Sequence, residues 1–169
     1  MKRWQFIPLF VAYIATIFAA NWAVARFGVI PVGFGLMAPA AVYFVGLAFP
    51  LRDGLQRVSS RRWAILAILL GAGLSYLVSP RFAVASGLTF LISETCDMLV
   101  YTPLQKRFAT AVLLSSAAAL VVDSVLFLTL AFGSLQFLPG QIVGKAWMTL
   151  LAVIVIQVWR RRGLLPRYA

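Results

Sequence analysis

Six long apolar stretches, separated by short polar and mostly basic connections, occupy nearly the whole chain: residues 5–25, 29–51, 63–79, 82–103, 108–132 and 141–159. The hydrocarbon core of a bilayer is ~30 Å thick and takes ~20 apolar residues of α-helix to cross. The pattern therefore predicts an all-α, polytopic membrane protein, a six-transmembrane-helix bundle. Residues 1–169 read as a single integral membrane domain, because the connections leave no room for a soluble one. The first stretch is as long as a true span. Its end, Ala25-Arg26-Phe27, lacks the small-x-small cleavage site of a secretory leader. No internal repeat or low-complexity segment interrupts the pattern.

The basic residues give this bundle an expected orientation. Lys2 and Arg3 precede the first stretch; Arg52, Arg57, Arg61 and Arg62 lie between the second and third; Lys106 and Arg107 follow the fourth. Arg160, Arg161, Arg162 and Arg167 follow the sixth. All of these fall on one side of a six-span arrangement, whereas only Arg26 and Arg81 fall on the other. The positive-inside rule then puts both termini in the cytoplasm, in a multi-pass protein of the plasma (inner) membrane. The same distribution reads the basic tail as an anchor at the headgroups, so no nucleic-acid partner is expected.

Composition narrows the chemistry. The chain is 63% hydrophobic and 11% charged, and its net charge of +11 is largely this topology signal. It contains no histidine, one cysteine and four acids: Asp53, Glu94, Asp97 and Asp123. Histidine-based triads, histidine metal sites and histidine pH switches are thereby excluded. The lone Cys96 can form neither an intramolecular disulfide nor a CxxC site. The run Gly140-Gln141-Ile142-Val143-Gly144-Lys145 imitates a phosphate loop. It is one residue short, continues into Ala146 in place of Ser or Thr, and follows no strand. Neither an enzyme, a cofactor nor a metal site is expected.

What remains is a short list of polar residues inside apolar stretches. An ionisable side chain at mid-membrane costs at least ~2.5–3.5 kcal/mol and usually faces a partner or a cavity. Glu94 and Asp97 share one face of the fourth helix with Phe90 and Tyr101. Ser116, Asp123 and Phe127 form a stripe on the fifth, and Gln141, Lys145 and Thr149 a stripe on the sixth. Measured from the outer ends of their helices, Glu94 lies ~18 Å deep, Asp123 ~13 Å and Lys145 ~6 Å. These groups are expected to converge on one solute cavity in the outer half of the bundle. The alternatives are a buried ion pair between Lys145 and one acid that only fixes packing, and a proton relay; three acids against one lysine leave carboxylates that must be hydrated, protonated or liganded.

Two further features stand at the ends of the first two spans. Ala15, Ala19 and Ala23 form a small-residue ridge suited to close helix contact, either inside the bundle or with an energy-coupling membrane subunit. Asn21 projects almost opposite that ridge, toward the expected cavity. Pro31-Val32-Gly33-Phe34-Gly35 places helix breakers at the start of the second span, as backbone beside a cavity or as a loop re-entering the interface. Asp53, beside Arg52 and Arg57, is expected at the cytoplasmic end as part of a gate or loop.

In order along the chain, Asn21, Gly33-Phe34-Gly35, Arg52-Asp53 with Gln56, Ser93-Glu94-Thr95-Cys96-Asp97, Asp123-Ser124 with Phe127, and Gly144-Lys145 resemble the VUT or queuosine-precursor transporter family. Its six-helix members resemble the substrate-binding S components of energy-coupling-factor vitamin transporters. The resemblance covers nearly the whole chain. It implies import, across the plasma membrane, of a 7-deazaguanine such as 7-cyano-7-deazaguanine (preQ0) or its aminomethyl form (preQ1). A carboxylate, Glu94 or Asp97, would accept from the donor edge of such a ring, and Lys145, alone or with Asp123, would serve its carbonyl. Asn21 would face the solute, while Trp22, Phe34 and Tyr101 could stack on it. The competing readings are uptake of a vitamin or other heterocycle as the binding subunit of an ATP-driven transporter, and a noncatalytic structural or pore protein.

Overall fold

A computed structural model describes residues 3–78 and 83–162. Lys2, Arg81 and Arg167, used above for orientation, lie outside the described residues. The element order is α1 (Arg3–Phe27), β1 (Val29–Gly33), β2 (Leu36–Pro39), α2 (Val42–Val58), α3 (Arg61–Val78), α4 (Ala83–Leu104), α5 (Phe108–Phe132) and α6 (Leu138–Arg161). The helical membrane architecture read from the sequence is therefore the observed one. Among the described residues, four segments, Phe6–Phe27, Val84–Leu104, Phe108–Phe132 and Leu138–Trp159, are long and apolar enough to cross a bilayer.

The stretch expected as a continuous second span divides in two. Residues 29–39 form an antiparallel hairpin, and the helix that follows runs on to Val58, past the basic residues taken as its limit. The cause lies in the turn. Gly33, Phe34 and Gly35 all have positive φ, at 107°, 53° and 72°. A short hairpin loop needs this left-handed backbone and a helix cannot use it. Pro31 also lacks the N–H that a helix interior requires. The hairpin lies against α6: the Trp147 Nε1–H donates to the Val32 carbonyl at 3.3 Å, and the Trp147 ring stacks on Phe34.

The hairpin displaces the start of α2, leaving a helix of only 17 residues that is about 25 Å long. It is also the central helix, in contact with α1, α3, α4, α5 and α6. Around it α1, α3, α4, α5 and α6 pack in an arc, each on the next in that order. Wrapped in this way, α2 need not be apolar. Arg52, Asp53 and Gln56 are buried along it together with Phe49 and Leu55. The bundle surface is correspondingly greasy: Ile7, Leu77, Val84 and Ile154 all stand well exposed, as lipid-facing positions do.

Close approach of α2 and α6 depends on two glycines. A Cβ on Gly46 would lie 2.8 Å from Lys145 Cα and 2.9 Å from the Lys145 carbonyl oxygen, and one on Gly144 would lie 2.7 Å from Val42 Cγ2. Gly46→Ala should therefore push the α6 backbone away and destabilise the protein by about 1–3 kcal/mol, the usual effect of overpacking. Gly73→Ala, on α3 with nothing within 4 Å of the added carbon, should change stability by less than about 1 kcal/mol. Thermal unfolding of the two detergent-solubilised variants checks the difference; equal midpoints would remove Gly46 from this role.

Candidate functional site

The polar interior forms two connected clusters rather than one. The first lies where the end of α1, the start of α2, the start of α4, the end of α5 and the start of α6 meet. These ends surround an open cleft of about 650 Å³ including its mouth, lined by Asn21, Thr89, Asp123, Gln141 and Lys145 among apolar neighbours. Phe44, Phe90 and Phe127 provide aromatic walls. Small-molecule sites are typically clefts with mostly apolar walls and a few convergent polar groups, and the lining of this cleft has that character.

Lys145 and Asp123 form the floor. Lys145 Nζ lies 2.5 Å from Asp123 Oδ2, donates to Ser124 Oγ at 2.8 Å, and also donates to Gln141 Oε1. All three ammonium hydrogens are thus engaged. Ser93 Oγ donates to the other oxygen of Asp123 at 3.2 Å. The residues reach one another because Gln141 and Lys145 are one helical turn apart, while Asp123 and Ser124 are adjacent on the facing α5. Asn21 spends its amide N–H on the Ile17 carbonyl of its own helix. Its side-chain oxygen remains as the acceptor it can present to the cleft.

The second cluster lies beyond the first, further along α2. Arg52 is fully buried, with Nη1 at 2.9 Å from Asp53, Nε at 3.3 Å from Glu94 and Nη2 at 2.7 Å from Asp97. Nη1 also donates to Gln56 Oε1, and Gln56 passes the chain of hydrogen bonds on to Thr102. Asp53 accepts from Ser115 of α5 at 2.9 Å. The guanidinium carbon stands 5.7 Å from the centre of the Tyr101 ring. Three helices, α2, α4 and α5, are joined through Arg52 and Asp53.

The cleft gathers Asn21, Asp123 and Lys145, while Glu94, Asp97 and Tyr101 surround Arg52 and do not line it. Phe34 is 81% exposed at the hairpin tip, and Trp22 is also exposed. Arg52 and Asp53, expected at a cytoplasmic gate or loop, are both fully buried within the bundle. The reason is the displacement of α2: with the helix beginning at Val42, these residues fall in its later half, opposite Glu94 and Asp97. On α1, Ala23 is packed inside and only Ala15 is exposed, so the three-alanine ridge is not one free face.

Thr89 is the residue that sequence reasoning missed. It lines the cleft, is buried, and its hydroxyl has no partner. A threonine in a helix is usually satisfied by a carbonyl of the preceding turn, as Thr95 and Thr102 are on the same helix. Nothing in its sequence context separates it from those two.

The model of a family described as "Putative vitamin uptake transporter" matches residues 74–160, just over half of the chain, from the end of α3 through α6. No curated protein and no solved structure gives a significant match. The matched part contains Glu94, Asp97, Asp123 and Lys145; Asn21 and Arg52 lie before it.

The geometry of the floor gives a stability test. Lys145→Met leaves a buried carboxylate without its cation and should destabilise the protein by about 3–5 kcal/mol. Adding Asp123→Asn to Lys145→Met should recover most of that loss, because the buried charge is then gone. Thermal unfolding of the single and double variants in detergent measures it, and additive losses would count against a coupled pair.

Proposed function

The chain belongs to the vitamin uptake transporter family, and from that premise we propose that it imports a flat, nitrogen-rich heterocycle, a 7-deazaguanine queuosine precursor such as preQ0, across the plasma membrane. The cleft beside the Asp123–Lys145 pair is the solute site in this reading. The observation that carries it is a set of polar groups lining an otherwise apolar cleft: a carboxylate, an amide oxygen at Asn21, and an unpartnered hydroxyl at Thr89. A buried hydroxyl without a partner is costly, and a bound solute would remove that cost.

The chemistry of the solute follows from these groups. Asp123 Oδ1 now accepts from Ser93. The N–H edge of a guanine-like ring can take over as its donor, forming a charge-assisted bond. Lys145, held by three acceptors, polarises that carboxylate and can turn one N–H to a ring carbonyl. Phe90 and Phe127 offer ring faces for stacking. Both termini lie in the cytoplasm, so the cleft faces outward and transport requires it to reopen inward around the bound solute. The Arg52–Asp53 pair stands on the inner side of that path, in the position of a gate.

The test is uptake in cells unable to make queuosine precursors, supplied with preQ0 or preQ1 at low concentration and read as queuosine in tRNA. The native chain should restore the nucleoside. Asp123→Asn and Lys145→Met, present in the membrane at equal abundance, should lower the response about 10- to 100-fold, the scale of one lost charge-assisted hydrogen bond. No rescue with either compound would overturn the deazapurine assignment and transfer the site to a vitamin.

A further inference from the structure

All four acidic residues of the chain are buried in the bundle, and among the described residues the two cations buried with them are Arg52 and Lys145. The Asp123–Lys145 pair balances. The other cluster does not: one guanidinium faces three carboxylates, Asp53, Glu94 and Asp97, each fully buried. With every group charged, two negative charges would remain uncompensated in a low-dielectric interior, where even one isolated ion costs several kcal/mol.

Among the described residues the neighbouring elements supply no further fully buried cation. On α1 the facing titratable group is Tyr13; on α2, beyond Arg52 and Asp53, Arg57 approaches Tyr101 from the end of the helix. Cys96 lies beside Asp97 on α4. From α5 come Ser115 and, within electrostatic range of Glu94, Asp123, whose charge Lys145 already answers. On α3, Arg61 and Arg62 are exposed.

The three carboxylates are not equivalent. Asp53 has Arg52 on one oxygen and the Ser115 hydroxyl on the other. Asp97 has the short 2.7 Å contact to Nη2. Glu94 has the longest contact to the guanidinium, 3.3 Å, and its Oε1, like Asp97 Oδ1, accepts no hydrogen bond. Tyr13, fully buried, brings its hydroxyl to Glu94 and to no other acceptor of the cluster. A carboxyl oxygen carrying a proton would be a donor, and the Tyr13 oxygen is an acceptor for it.

We propose that the Arg52 cluster is a proton-binding site, with the proton carried on Glu94 at neutral pH, and that this proton is the coupling ion of the carrier. The proton comes from water, adds to one carboxylate oxygen and removes one unit of negative charge; no other bond changes. Ser93, which precedes Glu94 on α4, donates to Asp123 in the cleft, so the two sites are adjacent along one helix. The coupling clause rests on the transport reading above. The proton site itself rests only on the charges and the unpartnered oxygens.

Infrared spectroscopy of the purified native chain decides the first clause. With only four acidic side chains, a C=O stretch from a protonated side-chain carboxyl is readily assigned. It should be present from about pH 6 to about pH 8, where an ordinary carboxylate is ionised, and should be lost in Glu94→Gln. Absence of the band in the native chain, or its full survival in Glu94→Gln, would overturn the site. A band that appears only when Na+ is replaced by a large organic cation would assign the site to sodium instead. In proteoliposomes, an inward-directed proton gradient should raise preQ0 uptake severalfold in the native chain and not in Glu94→Gln. Uptake indifferent to the gradient overturns the coupling. No preQ0 uptake under any gradient overturns the solute assignment and the coupling with it, and leaves the band to decide the proton site.

Discussion

Arg52 is the charge about which the bundle is arranged. It is fully buried, on the shortest of the helices, and it contacts acids on its own helix and on α4 while Asp53 carries the connection to α5. A guanidinium in this position is stable only while its partners are held in place. Removing one partner of a buried pair typically costs 3–5 kcal/mol, to within about a factor of two. The surrounding helices must therefore pack so that α2 is shielded on every side, and α2 touches all five of them. The result is a protein turned inside out relative to a soluble one, with its acids inside and its large aliphatic side chains outside.

The cleft is a consequence of the same arrangement. The hairpin between α1 and α2 shortens α2 and leaves room at that end of the bundle, while Gly46 and Gly144 bring α6 close enough for Lys145 to reach Asp123. Lys145 is thereby held away from the three acids around Arg52 and balances only one carboxylate. Adjacent residues on α4, Ser93 and Glu94, face the two clusters. The two clusters therefore lie side by side along α4.

Much of this was legible in the sequence. Length and apolar runs predict a helical membrane bundle, and the lysine and acids within those runs identify the buried polar residues before any coordinates. The family likeness, read from scattered motifs such as Ser93-Glu94 and Gly144-Lys145, agrees with the family match over residues 74–160. Burial of Arg52 and Asp53 was not legible, because a basic residue at the end of an apolar run reads as a topology signal. Only the hairpin, set by the positive φ of Gly33, Phe34 and Gly35, shifts α2 so that the pair falls inside. The division of the acids into two groups was equally hidden. Helical spacing puts Glu94 and Asp97 on one face, but which neighbour that face meets is a matter of packing. Thr89 gave no signal, since an unpartnered hydroxyl is visible only in three dimensions.

In the proposed carrier the cleft beside Asp123 and Lys145 holds the solute. Equilibrium binding of radiolabelled preQ0 to the purified protein in detergent addresses it without requiring transport. Saturable binding at one site per chain is expected, weakened by Thr89→Val and abolished by Asp123→Asn in a protein that remains folded. Saturable binding that Asp123→Asn and Thr89→Val leave unchanged would contradict it.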